Sequence, residues 1–152
     1  MEYALSYPAF IERAFHDISQ AVTERTEPSL DNLIDICNAG IQAKVALDLW
    51  KSLGASKALF SKALGVSTRT FERYIGKPGE NLKSAPSDRL LHLMLLAKSG
   101  TEVFGDFDVF KEWMHEPNDS LEGNRPVEYI TTQFGIDAVR DLLVQIEWGE
   151  LS

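Results

Sequence analysis

The sequence contains a single cysteine, Cys37, so no disulfide bond can form within the chain. A catalytic cysteine needs a histidine partner, and His16, His92 and His115 all lie far from Cys37 along the sequence. We therefore interpret Cys37 as a small core residue of a protein from a reducing compartment, which we expect to be the cytoplasm.

Long hydrophobic runs are absent as well. No stretch of about 18 apolar residues occurs, so we expect neither a membrane-spanning helix nor a membrane partner. The first residues include Glu2 and lack a basic segment followed by an apolar one, which argues against a signal peptide.

Sequence patterns of catalysis are also missing. There is no phosphate-binding loop, no Gly-x-Ser-x-Gly, no zinc-protease histidine pair and no zinc-finger spacing. His92 lies in a run of leucines, which favours a core histidine over a metal ligand. We therefore expect no catalytic residue, metal ion or cofactor, and a binding protein rather than an enzyme. Paired carboxylates occupy solvated or helix-starting positions, where acids favour the helix dipole: Glu12 with Asp17, Asp31 with Asp35, and Asp106 with Asp108.

Helical periodicity is what the sequence does contain. Its 152 residues suffice for one domain, or for two small ones with a common core. Apolar residues recur at helical spacing and no strand is indicated, so we predict an all-α fold. Residues 90–97 are apolar on most sides, which predicts a long helix buried between two layers and shared by both halves. The predicted helices are 8–25, 30–40, 41–53, 56–65, 67–76, 86–105, 106–115, 126–135 and 136–149.

The predicted helices group into an N-terminal helical arm (1–28), a DNA-binding region (29–85) and a C-terminal region (86–152). The arm carries an apolar stripe that packs either on the body or on a second copy of the chain. Its residues are Phe10, Ile11, Phe15, Ile18 and Val22. In the next helix we predict that Leu30, Leu33, Ile34 and Cys37 face inward.

Residues 56–76 have the pattern of a helix-turn-helix. Gly65 can close the first helix in a left-handed conformation, and Ser67 is a good N-cap for the second. In the second helix Phe71, Tyr74 and Ile75 are predicted to face inward. The outward residues Thr68, Arg69, Thr70, Glu72 and Arg73 give a short, polar, partly basic face.

Such a face suits a DNA major groove, where Arg69 or Arg73 could contact a guanine. A plain helical hairpin is the alternative. Charge favours the DNA interpretation, because residues 41–89 hold nine Lys or Arg against four Asp or Glu. Residues 1–40 hold two basic and seven acidic side chains, and residues 90–152 hold four and twelve. The acidic ends would repel DNA and could meet a basic partner.

The C-terminal region resembles the Xre/MbcA/ParS-type antitoxins of RES-domain toxin–antitoxin systems. The likeness covers about residues 29–152, in layout at the helix-turn-helix and in motif towards the end. The aromatic Tyr129 and Phe134 depart from the expected pattern, as does the acidic arm. The matching positions are Ser87 to Leu90, Glu102 to Gly105, Trp113, Pro117, Asn118, Leu121, Gly123, Pro126, Thr132, Gly135, Val139, Leu142, Leu143, Ile146 and Gly149.

The resemblance implies an Xre-like helix-turn-helix domain joined by a long shared helix to a small helical toxin-binding domain. It implies a RES-domain toxin that consumes NAD or transfers ADP-ribose from it, whose pocket the antitoxin covers, and operator DNA that the antitoxin or the complex binds. A homodimer and a hetero-oligomer with the toxin are expected. On DNA the helix-turn-helix domain would use Ser67, Thr68, Arg69, Thr70, Arg73 and Lys77. Towards the toxin we predict Leu121, Gly123, Arg125, Trp148, Glu150, Leu151 and Ser152.

Two other functions remain open at this point. The chain could be a stand-alone dimeric repressor whose C-terminal half only dimerises. It could also be a protein–protein adaptor with a vestigial helix-turn-helix, since Glu72 puts a negative charge on the presumed reading face. Trp148 has an alternative role too, because it could cover the protein's own core instead of a partner.

Overall fold

The computed structural model describes residues 30–149, apart from the side chain of Asn32. The predicted arm and the residues Glu150, Leu151 and Ser152 lie outside this range. Within it the fold is all-α, as predicted, and the only extended pairs are two isolated bridges. The α-helices are α1 (Leu30–Ala39), α2 (Ala43–Leu53), α3 (Lys57–Leu64), α4 (Thr68–Gly76), α5 (Ser84–Phe104), α6 (Phe107–His115) and α7 (Gln133–Glu147), and two 3-10 helices cover Asp119–Leu121 and Pro126–Tyr129.

Local sequence chemistry sets the ends of the first helices. Gly54 and Gly65 close α2 and α3 with φ values of 70° and 72°, a left-handed conformation that glycine adopts without strain. Ser56 and Ser67 begin α3 and α4, and each hydroxyl accepts a backbone N–H three residues on. The helix-turn-helix predicted for residues 56–76 is therefore present.

The central helix α5 packs against α1, α3, α6 and α7. Its apolar residues are buried on several sides, which confirms the predicted shared helix. A Cβ at Gly100 would overlap the ring of Phe110, so the missing side chain lets α6 approach α5 closely. One continuous hydrophobic core results, running from Ile36 in α1 to Leu143 in α7.

Several sequence expectations are wrong in detail. Leu30 and Ile34 are exposed rather than inward, because α5 covers only the side of α1 that carries Ile36 and Cys37. Ile75 is likewise 38% exposed, since Phe71 and Tyr74 already fill the space beneath α4. The helix α5 begins at Ser84, earlier than predicted.

The segment predicted as a helix over 126–135 differs most. Pro126–Tyr129 forms a short 3-10 helix, and α7 begins at Gln133. Gly135 therefore lies in the first turn of α7 instead of ending a helix. The hydroxyl of Thr132 accepts its backbone N–H at 3.0 Å, and a Cβ at Gly135 would collide with the carbonyl of Tyr129.

Candidate functional site

The first candidate surface is the outer side of α4. Phe71 and Tyr74 anchor the helix in the core, and Phe71 packs edge-on against Trp50 of α2 with ring centroids 5.2 Å apart. At the start of α4, Ser67 also donates its hydroxyl hydrogen to the hydroxyl of Thr70 at 3.0 Å. The opposite side of the helix is thereby held in a fixed orientation towards solvent.

The outward residues of α4 differ in whether they have a partner within the chain. Arg69 lies opposite the buried residues, and Glu72 and Arg73 flank it at i+3 and i+4. Within residues 30–149, neither Arg69 nor Glu72 makes a side-chain hydrogen bond or an ion pair, so both are available to an external partner. Thr68 is exposed beside them, whereas Thr70 is half-buried.

Arg73 is engaged within the chain. Its Nη2 lies 3.4 Å from Oε1 of Glu80, and its guanidinium lies 5.5 Å from the centre of the Tyr74 ring. Burial raises the pKa of Tyr74, the nearby charge of Arg73 opposes that rise, and Glu80 adds to it. Lys77, which caps α4, is exposed close to this pair. Arg73 is thus directed towards the turn that follows the helix.

The second candidate surface follows α7. Ile136, Val139, Leu142 and Leu143 are buried against the core, whereas Val144 and Trp148 are 50% and 76% exposed. Their i, i+4 spacing places both on one side of the helix. At this exposure Trp148 does not cover the core formed by residues 30–149. A shallow groove of about 80 Å³ runs beside Val144, between α5 and α7, lined also by Ser99, Val103, Arg140 and Glu147.

The other residues predicted to meet a toxin lie in the loop before α7. Leu121 is buried and its carbonyl accepts the Tyr129 hydroxyl at 3.2 Å, so Leu121 supports the loop. Gly123 is exposed with a φ of 82°. Arg125 donates its backbone N–H to Glu128 at 3.0 Å, which lowers the pKa of that carboxyl, and the guanidinium charge lowers it further.

Two side chains connect the two halves, and sequence reasoning missed both roles. Nη1 of Arg89 lies 3.4 Å from the carbonyl of Ala63 in α3 and 3.4 Å from that of Thr131, just before α7. Nε2 of His115 lies 2.6 Å from the carbonyl of Leu53, at the end of α2. Because these contacts span 26 to 62 residues, no local signal could indicate them.

Two family models match the described part of the chain. The family model described as the antitoxin Xre-like helix-turn-helix domain matches residues 34–95. The model of the antitoxin Xre/MbcA/ParS C-terminal toxin-binding domain matches residues 99–149. The chain belongs to the Xre/MbcA/ParS-type antitoxins.

Individual relatives are more distant. The antitoxin chain is 33% identical over 63 residues to a protein named antitoxin Xre from Pseudomonas putida, a match covering 41% of this chain and 40% of that relative. A chain in the crystal structure of the M. tuberculosis MbcT-MbcA toxin–antitoxin complex is similar in fold. That likeness has a TM-score of 0.50 at 21% identity and covers 72% of this chain and 96% of the other.

Two further titratable side chains of the antitoxin, Cys37 and His92, lie beside Asp88 of α5. Cys37 is buried, as predicted, and burial together with the charge of Asp88 raises its thiol pKa. His92 lies 3.8 Å from the same carboxylate and is half-buried. Among residues 30–149, no group of His, Cys, Asp or Glu could hold a metal ion, and no helix has the length and apolarity to cross a membrane.

Proposed function

We propose that this antitoxin binds a cognate RES-domain toxin, an enzyme that consumes NAD or transfers ADP-ribose from it, and neutralises it by covering its active site. We further propose that it represses its own operon in the cytoplasm through the helix-turn-helix, as a homodimer or in complex with the toxin. The observation that most supports toxin binding is the exposed apolar pair Val144 and Trp148. This pair lies within the part of the chain matched by the toxin-binding model.

Trp148 and Phe134 are the two exposed residues among the eleven aromatic side chains of residues 30–149, and such exposure of a tryptophan needs an explanation. Tryptophan is enriched among the residues that contribute most to protein–protein binding, because it removes a large apolar area from water. Trp148 directly precedes residues 149–152, so a toxin held by Trp148 would also meet Glu150, Leu151 and Ser152. These three residues remain proposed contacts.

Charge supports the choice of a basic pocket as the target. Residues 90–152 hold twelve acidic and four basic side chains. A pocket that accepts the phosphates of NAD presents positive potential, to which an acidic surface is complementary. Along the sequence, the acidic residue Glu147 precedes Trp148 and the acidic residue Glu150 follows it.

Co-expression tests the toxin-binding part of this proposal. The toxin gene is expected next to this one, and its product should stop growth unless the antitoxin is present. Trp148→Ala should restore toxicity, whereas Phe134→Ala should not. Phe134 is a matched control because it is 89% exposed and lies at the other end of α7, roughly 21 Å away at ~1.5 Å per residue.

Point variants are preferable to a deletion of residues 121–152. That deletion would remove Ile136, Val139 and Leu143 from the common core, and loss of neutralisation would then report only misfolding. Full neutralisation by Trp148→Ala, with the variant folded, would contradict the proposed anchor. Absence of any toxic neighbouring product would contradict the antitoxin function itself.

A stand-alone dimeric repressor is the second candidate, favoured by the complete helix-turn-helix and its available Arg69. Gel-shift measurements with the DNA upstream of the gene separate a repressor from an adaptor, and the co-expression test separates a stand-alone repressor from an antitoxin. A repressor retards this DNA without a partner and has no toxin to neutralise. The adaptor alternative requires that no retardation occurs, either with or without the toxin.

A further inference from the structure

We propose that Arg69 and Glu72 are the residues of α4 that read bases, Arg69 a guanine and Glu72 a cytosine, while Arg73 and Lys77 hold the phosphate backbone. The inference rests on the DNA binding proposed above and specifies its sequence preference. It follows from one difference between these side chains. Arg73 is paired with Glu80, whereas Arg69 and Glu72 have no partner within residues 30–149.

Arg69 lies in the N-terminal part of α4. The second helix of a helix-turn-helix presents the residues of its N-terminal part to base edges. Arg69 is the second residue of α4, lies opposite the buried Phe71 and Tyr74, and has no partner in residues 30–149. A free guanidinium at this place can donate two parallel hydrogen bonds to O6 and N7 of guanine.

The charge of Glu72 makes its role specific. A carboxylate that faces DNA is repelled by phosphates, so it weakens binding to every sequence unless a base compensates for it. Carboxylate oxygens only accept hydrogen bonds, and the major-groove edge of cytosine offers a donor, its N4 amino group. Adenine offers a donor too, but its N7 acceptor would face the second carboxylate oxygen. Glu72 therefore favours cytosine.

The spacing of the two residues fits neighbouring base pairs. Residues at i and i+3 of a helix have Cβ atoms about 5–6 Å apart. Successive base pairs are about 3.4 Å apart along the duplex, so Arg69 and Glu72 reach the same or adjacent steps. The expected half-site accordingly contains a guanine and a cytosine within one or two base pairs of each other.

Arg73 has a different role because its orientation is already fixed. The carboxylate of Glu80 and the ring of Tyr74 hold its guanidinium beside the turn that follows α4, close to Lys77. A positive charge held at the rim of the reading face suits a phosphate, whose contact carries no sequence information. This assignment removes Arg73 from the candidate guanine readers.

Selection from a randomised duplex library tests the inference, with the full chain used alone and in complex with the toxin. The wild type should enrich a motif that contains the guanine and the cytosine, each preferred by about 5- to 150-fold. Glu72→Gln should change the preferred cytosine to adenine, because glutamine pairs with N6 and N7 of adenine. Arg69→Ala should relax the guanine position only. Arg73→Ala should weaken binding to all sequences alike and leave the motif unchanged.

Glu112→Gln is the control for the charge change, since Glu112 is an exposed acid on α6 and should leave the motif as it is. An enriched motif that Glu72→Gln and Glu72→Ala both leave unaltered would overturn this inference while the proposed DNA binding stands. Failure of the wild type to bind any duplex, alone or with the toxin, would overturn the DNA-binding part of the proposed function as well. Matching circular dichroism spectra would show that the variants are folded.

Discussion

The outer sides of α4 and α7 both face solvent in the part of the chain that the structure describes, yet they differ in chemistry. The α4 side is polar, and neither Arg69 nor Glu72 on it has a partner within residues 30–149. The α7 side is apolar at Val144 and Trp148 and lies in the acidic half of the chain. This difference would let the two proposed partners, a polyanion and a protein, meet separate surfaces, because the acidic half of the chain repels a polyanion.

Both surfaces rest on the same hydrophobic core. We therefore expect the largest effect from a substitution in that core, which would disrupt both surfaces together. Gly100→Val places side-chain atoms where the Phe110 ring lies and should lower the free energy of unfolding by about 3 kcal/mol. Thermal unfolding should still show one transition. Gly79→Ala is the control, because a Cβ there would meet nothing within 4 Å. Separate unfolding of the two halves would contradict a common core.

Removal of one connection between the halves should have the next largest effect. Arg89→Ala removes the donor to the carbonyls of Ala63 and Thr131, and should destabilise the fold by ~2 kcal/mol in denaturant unfolding. Arg89→Lys should recover only part of the loss, since an ammonium lacks the planar fork of a guanidinium. A change within error for Arg89→Ala would mean that the hydrogen bonds of Arg89 do not help to hold the two halves together.

Removal of charge from α4 alone tests whether its outer side acts separately from that of α7. Arg69→Ala combined with Arg73→Ala should weaken DNA binding and reduce the salt dependence of the binding constant by about one unit per lost phosphate contact. Toxin binding, measured by calorimetry, should not change. An unaltered salt dependence would contradict the phosphate contact proposed for Arg73, and an unaltered affinity would remove both arginines from the DNA interface.

The smallest expected effect is confined to the loop before α7. Arg125→Ala should raise the pKa of Glu128 only part of the way to its ordinary value, because the Arg125 backbone N–H still donates to the carboxylate. Since folding lowers this pKa, any stability that Glu128 contributes is present above its unfolded pKa and is lost as pH falls through the folded pKa. An NMR titration of the Glu128 carboxyl carbon checks this; full return to the ordinary value would contradict the dominance of the backbone bond.

The sequence predicted those features that depend on neighbouring residues. Gly54, Gly65 and Gly105 end helices and Ser67 begins one, because cap chemistry acts within a few residues. The helical period predicted the all-α fold and the buried α5 for the same reason. The exposed positions Thr68, Arg69, Glu72 and Arg73 of α4 were also predicted, and their contact with DNA stays a prediction.

Features that depend on distant residues could not be predicted. The predicted start of α7 was wrong because Gly135 was interpreted as the end of a helix. A glycine is needed at this position for another reason, since the carbonyl of Tyr129, outside the helix, leaves no room for a Cβ. Leu30 and Ile34 have the spacing of inward residues, but no element described covers them. Arg73 had the pattern of a base reader, and only the structure shows its contact with Glu80 across a turn.

The continuous core has a consequence for the lifetime of the protein in the cell. A protease that cuts between α5 and α7 separates buried residues of one hydrophobic core, so we expect the helix-turn-helix fragment to lose stability. If the proposed functions hold, repression and neutralisation would then weaken together, and one cleavage would both release the toxin and allow transcription of fresh antitoxin.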